Sequence, residues 1–187
     1  MAKNEKYQPR LEKQYFEEVL PSLVKHFKMK NIMQAPKLKK IVLNMGIGDA
    51  VEDPKLLDEA VEELTLISGQ KPVITKAKKD ISNFKIRKGE KVGCKVTLRK
   101  ARMYEFMERL FNVALPRVRD FRGVSDSGFD GNGNFTMGVK EQTIFPEINH
   151  ENVQRIRGFN ITFVTDSEKD EHVYYLLKAL GMPFQKR

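Results

Sequence analysis

The chain predicts an α+β fold, with a largely antiparallel sheet, helices packed on one of its faces and the other face open. Three observations lead there. Segment 91–99, KVGCKVTLR, alternates strictly: Val92, Cys94, Val96 and Leu98 fall on one side, and Lys91, Gly93, Lys95, Thr97 and Arg99 on the other. A strand with one apolar and one basic side belongs to a sheet with one face on the core and one in solvent. Amphipathic helical segments are interspersed among further short runs rich in Val, Ile and Leu. With 187 residues, 40% of them hydrophobic and 32% charged, the chain reads as a single domain over 1–187.

The elements follow in order. Leu11, Tyr15, Val19, Leu23 and Phe27 recur at helical spacing in 11–27, and Pro21 predicts a kink. LKKIVLNMG (38–46) is a strand that places Lys40, Val42 and Asn44 on one face. In 53–69, Asp53 is set to cap a helix, Pro54 suits its first turn and Gly69 closes it. KPVIT (71–75) is a short strand, and a polar loop over 76–89 leads to strand 91–99. Met103, Phe106, Met107, Leu110 and Ala114 form the inner stripe of a helix over 101–114 that Pro116 ends. Residues 116–134 lack periodicity and are too long for an ordinary connection. Strands follow at 135–141 and 158–166, then a helix near 168–180 with Ser167 as its cap and Gly181 and Pro183 as its stop.

Charge narrows the class of partner. The net charge is +9, and residues 76–102 hold eleven Lys and Arg against Asp80 and Glu90, so this one segment carries the whole excess. A concentrated basic patch focuses a polyanion, nucleic acid above all, ahead of a membrane surface or an acidic protein. No run reaches the eighteen apolar residues of a membrane span, and the N-terminal MAKNEKYQPR has no apolar stretch behind it. A single cysteine, Cys94, excludes an internal disulfide, and a cytoplasmic protein is expected.

Enzyme signatures are weak. Gly46 and Gly48 sit between a predicted strand and a predicted helix, yet the third glycine of a dinucleotide fingerprint would be residue 51, which is valine. His26, His150 and His172 lie far apart, without metal-ligand spacing, and Cys94 falls on the apolar strand face as an inert thiol. The stretch GFDGNGNFTMGVKEQTIFPEI holds four glycines between 128 and 138, but a strand follows them where a phosphate-binding loop needs a helix. Asp130-Gly131 and Asn132-Gly133 are turn dipeptides. No cofactor and no catalytic activity are expected.

Several blocks carry a resemblance. KLKKIVLNMGIGDA, AVEELTLISGQKPVITKAKK, ISNFKIRKGEKVGCKVTLR, LPRVRDFRGVS, FDGNGNFTMGVKEQTIFPEI and LLKALGMPF resemble the bacterial large-subunit ribosomal protein L-five family over nearly the whole chain. The resemblance implies a protein that binds 5S rRNA in the central protuberance, beside ribosomal protein L-eighteen. It also implies contacts with the large-subunit rRNA, the P-site tRNA and, in an intersubunit bridge, small-subunit protein S-thirteen. Carried over by motif, the 5S rRNA contacts are Asn44, Gln70 and Thr97, with Lys95 and Arg99 beside Thr97 on the same strand face. The tRNA-facing loop is 76–89, with Lys76, Lys78, Lys79, Lys85, Arg87 and Lys88, and the bridge region includes Arg117, Arg119 and Arg122. The chain departs from the family pattern at Asn132, where arginine is common, at Phe135, where tyrosine is, and at Glu90-Lys91, which replaces an apolar pair.

Overall fold

The computed structural model describes residues 7–51, 53–149, 153 and 155–185; the N-terminal MAKNEK and His150 lie outside the described residues. Among the described residues the fold has five strands and five α-helices, joined by π and 3-10 turns. The chain gathers into two compact units, one from residues up to 40, 99–135 and 164 onward, the other from 41–98 and 136–163.

The sheet runs in the order β2-β3-β1-β5-β4, with β1 at Leu38–Gly46, β2 at Val73–Lys76, β3 at Lys91–Leu98, β4 at Asn134–Val139 and β5 at Phe159–Thr165. β3 pairs antiparallel with both β1 and β2. The register sets Ile41 opposite Leu98, Leu43 opposite Val96 and Met45 opposite Cys94, and all six side chains are buried. Helix α3, Lys55–Ser68, packs on β3 and buries Leu57, Ala60, Leu64 and Ile67. Asp53 takes up the free amide of Lys55 at 3.0 Å, and Gly69 ends the helix in the left-handed conformation at φ 65°. Behind α3, Arg157 reaches Glu59 at 2.5 Å and Glu63 at 3.2 Å, while the side-chain oxygen of the buried Gln142 accepts the Arg157 amide at 2.5 Å. Burial nonetheless pushes the Glu63 carboxyl above its ordinary value, because desolvation outweighs the attraction of Arg157.

In the other unit, α1 (Arg10–Gln14) runs through a π turn (Tyr15–Val19) into α2 (Leu20–His26). Pro21 lies in the first turn of α2, so the predicted break takes the form of a widened turn just ahead of it. Leu11, Tyr15, Val19 and Leu23 are buried, and α1 packs against α4 (Lys100–Arg109), with Arg10 paired to Glu108 at 2.7 Å. α4 passes through a second π turn, Leu110–Ala114, and a 3-10 turn, Leu115–Arg117, that contains Pro116. All five predicted inner residues, Met103, Phe106, Met107, Leu110 and Ala114, are buried.

Helix α5 spans Asp170–Ala179 and ends at Leu180, before Gly181 at φ 99°. Ser167 does not cap it. Its hydroxyl takes the amide of Lys169 at 3.2 Å in a turn ahead of the helix, because the helix begins later than the sequence pattern suggests. Residues 116–134 are anchored at their middle: Val124 donates to the Pro183 carbonyl at 2.7 Å, and its own carbonyl accepts from Gln185 at 3.0 Å.

Candidate nucleic-acid interface

The open face of the sheet is built by alternation. On β3 the buried Cys94, Val96 and Leu98 alternate with Lys95, which is exposed, and Thr97, which is half-buried. On β1, Val42 and Asn44 alternate with Ile41, Leu43 and Met45. The register then lines residues up across three strands: Val73 faces Lys95, Lys95 faces Asn44, and Thr97 faces Val42. Three of the five residues expected on the 5S rRNA site, Asn44, Lys95 and Thr97, are thereby brought together. Gln70 joins them from the turn after α3, where its side-chain amide donates to the Thr97 carbonyl at a long 3.5 Å. The fifth, Arg99, stands exposed in extended backbone just beyond the end of β3.

Two further strands continue this surface, which sequence reasoning missed. Asn160 and Thr162 alternate with the buried Phe159, Ile161 and Phe163 on β5, and Thr136 and Gly138 alternate with Phe135, Met137 and Val139 on β4. The hydroxyls of Thr136 and Thr162 lie 3.0 Å apart. The alternation of FNITFVT was a readable signal for these positions. The resulting face is made mainly of hydroxyls, amides, glycine and lysine, with Val42 and Val73 among them. It is suited to 2′-hydroxyls, sugars and base edges rather than to an apolar partner. On the opposite side Cys94 is fully buried, and desolvation pushes its thiol up to about 11, so it stays protonated and inert.

The 76–89 stretch is an organised hairpin. Ala77 donates to Glu90 at 2.8 Å and its carbonyl accepts from Gly89 at 2.9 Å, while Ile81 and Ile86 exchange both backbone bonds at 2.9 and 3.1 Å. The tip, Ser82–Phe84, is a 3-10 turn closed by Lys85 in the left-handed region. Asp80 accepts the Lys88 amide and Glu90 the Arg87 amide, each at 2.7 Å. The only two acids of the basic segment are therefore occupied in holding backbone, and Lys76, Lys78, Lys79, Lys85, Arg87 and Lys88 all project into solvent. Phe84, at the tip, is 72% exposed. Arg117, Arg119 and Arg122 are likewise exposed, on the other unit, alternating with the half-buried Val118 and Phe121.

The tempting glycine motifs resolve as turns. Gly46 ends β1 opposite Gly93, and Gly48 opens a short 3-10 turn. Gly131 and Gly133 adopt φ 79° and 73°, and their amides do meet an anion: the carboxylate of Asp170 accepts them at 3.0 and 2.8 Å. His26 and His172 pack against Phe27, and among the described residues no cluster of ligands could hold a metal.

The family described as "Ribosomal protein L5" matches residues 31–87, and the model of that ribosomal family's C-terminus matches residues 91–184. The large ribosomal subunit protein uL5 of Clostridium tetani is 58% identical over 94% of this chain and 98% of its own length. The proteins of the same name from Thermoanaerobacter sp. and Limosilactobacillus fermentum are 58% and 60% identical, each over 95% of this chain and 99% and 98% of their own lengths. Matched along nearly the whole chain by the family's two models and by relatives at 58–60% identity, the chain belongs to the ribosomal protein L5 family, as a structural and non-enzymatic constituent of the large ribosomal subunit.

Proposed function

We propose that the open sheet face binds 5S rRNA and fastens it to the large subunit in the central protuberance. The observation that carries this reading is the solvent-facing Lys95, opposite Asn44 on one side and the exposed Val73 on the other, with Thr97 and Gln70 close by, so that a lysine stands beside two amides and a hydroxyl. Lysine holds phosphate, and amides and hydroxyls read sugars and base edges. The hairpin 76–89 reaches the P-site tRNA with its six exposed bases, and the loop with Arg117, Arg119 and Arg122 contributes to the bridge with small-subunit protein S-thirteen. Ribosomal protein L-eighteen is the neighbour on 5S rRNA. These last assignments are supported by the family resemblance together with the exposure of the basic side chains.

The test is 5S rRNA binding by Asn44→Ala and Thr97→Val. A lost hydrogen bond of about 0.5–1.5 kcal/mol corresponds to a roughly 2- to 12-fold weaker Kd for each. Thermal unfolding should be nearly unchanged, since Asn44 is exposed and Thr97 lies off the core. Wild-type affinity in both variants would remove the sheet face from the 5S rRNA site.

A further inference from the structure

Phe84 stands at the tip of the basic hairpin, and among the described residues its ring meets no other aromatic ring. A lone apolar side chain on a surface is ordinary. The setting of this one is not. Its backbone is fixed: the Phe84 amide donates to the Ile81 carbonyl at 3.2 Å, the Lys85 amide donates to Ser82 at 3.0 Å, and the Ile81–Ile86 pair closes the neck of the turn. Lys85 follows in the left-handed region at φ 53°, where glycine or asparagine would turn the chain with less strain. A cation is thus kept next to the ring at a position that disfavours it. Ile81, 45% exposed, adds a second apolar surface beside the tip.

So exposed a ring covers no core, and the fold gains little from it. Six cations of the same arm are exposed, while its two acids are engaged with backbone amides. Phosphates to neutralise the cations and an exposed nucleobase to cover the ring answer both features at once. Such a base must be free of its own stacking neighbours, as in the loops of a folded RNA and unlike the stems. We infer that Phe84 is the stacking residue of the hairpin, its ring lying on an unstacked base in a loop of the P-site tRNA. The inference rests on the tRNA reading proposed above for 76–89. It adds contact with a base plane, where charge alone would hold only phosphates.

The experiment assembles ribosomes with Phe84→Ala, Phe84→Leu or Phe84→Trp, beside the charge variant Lys85→Ala with Arg87→Ala. P-site tRNA dissociation is then followed over a range of salt. Phe84→Ala should accelerate release about fivefold or more, the lower end of what alanine substitution of a base-stacking aromatic produces. Phe84→Trp should hold tRNA at least as long as wild type, and Phe84→Leu should release it nearly as fast as the alanine variant. All three should keep the wild-type salt slope, whereas the charge variant should lower it by about 1.4 for two lost phosphate contacts. Full rescue by leucine overturns stacking and gives the ring an apolar protein pocket instead. Unchanged release from the alanine variant, with fast release from the charge variant, also overturns it and leaves the hairpin's tRNA contact standing. Wild-type release from both variants takes the hairpin off the tRNA, and the proposed function of that arm fails with the inference. Binding to purified 5S rRNA and incorporation into the subunit separate the sources of the base. Both should match wild type in Phe84→Ala; a loss there with unchanged tRNA release places the ring on rRNA and overturns the inference.

Discussion

Asp130 and Asp170 do for the glycine turn what a phosphate does for a nucleotide loop. Asp130 accepts the amides of Asn132 and Asn134 at 2.9 and 3.0 Å and the Asn134 side-chain amide at 2.8 Å, while Asp170 takes those of Gly131 and Gly133. A β-carbon on Gly133 would stand 1.8 Å from the Ser167 carbonyl, so no other residue fits there. These hydrogen bonds hold the Asp130 carboxyl below its ordinary 3.8. A depressed acid contributes stability above its unfolded value and loses it as pH falls through the folded one. Protection against amide exchange at Asn132 and Asn134, measured by NMR relative to the intrinsic rate at each pH, should therefore persist through the ordinary carboxylate range and be lost only below it. Protection already lost between pH 6 and 5 would show that the carboxylate does not hold the turn. The turn dipeptides were legible from the sequence because their backbone needs are local. The anion was not, because Asp170 lies in another element far along the chain.

The hairpin and the Arg157 network illustrate opposite kinds of element. The hairpin's internal bonds and exposed bases let charge be removed without disturbing its backbone. Lys85→Ala with Arg87→Ala should thus leave 5S rRNA binding and subunit incorporation intact while accelerating P-site tRNA dissociation from assembled ribosomes. Loss of 5S binding with unchanged tRNA dissociation would instead move the hairpin into the rRNA site. The network behind α3 tolerates nothing of the sort. Arg157 has a side chain only 7% exposed, and its loss strands Glu59 and Glu63, one oxygen of Glu63 already being buried without a partner. Arg157→Met should cost about 3–5 kcal/mol in urea unfolding, and adding Glu59→Leu and Glu63→Met should restore most of it. An unchanged urea midpoint in the single variant would show that the ions are solvated in practice. Strand β3 was readable to within a residue, since a half-buried strand writes both faces into its alternation. Gln142 and Arg157 were not, because one buried polar pairing leaves no period to read.

Across the whole molecule, charge is segregated and not merely abundant. The segment 76–102 supplies the net +9, so affinity for 5S rRNA should fall steeply with salt. Five phosphate contacts would give a log–log slope of roughly −3.5, at about 0.7 per contact with single strands. A slope near zero would count against any phosphate-based site. Outside that segment the charges cancel only in sum, with six lysines and no acid at 25–40 balanced by acids spread through the helices. The α+β class and the open face were legible because periodicity reports them directly. The continuation of that face onto β5 and β4 depended on the strand order, which no local pattern encodes.

That strand order also sets a timetable. β1 sits in the middle of the sheet, with β3 on one side and β5 on the other, and β5 is made more than a hundred residues after β1. At a synthesis rate of about 5–20 residues per second, the three N-terminal strands can pair while one border of β1 waits on the order of ten seconds for its neighbour. An unpaired strand border is a template for foreign chains. Lys39, Lys40 and Asn44 put polar side chains along that strand, the kind of residue that discourages mispairing at an open border.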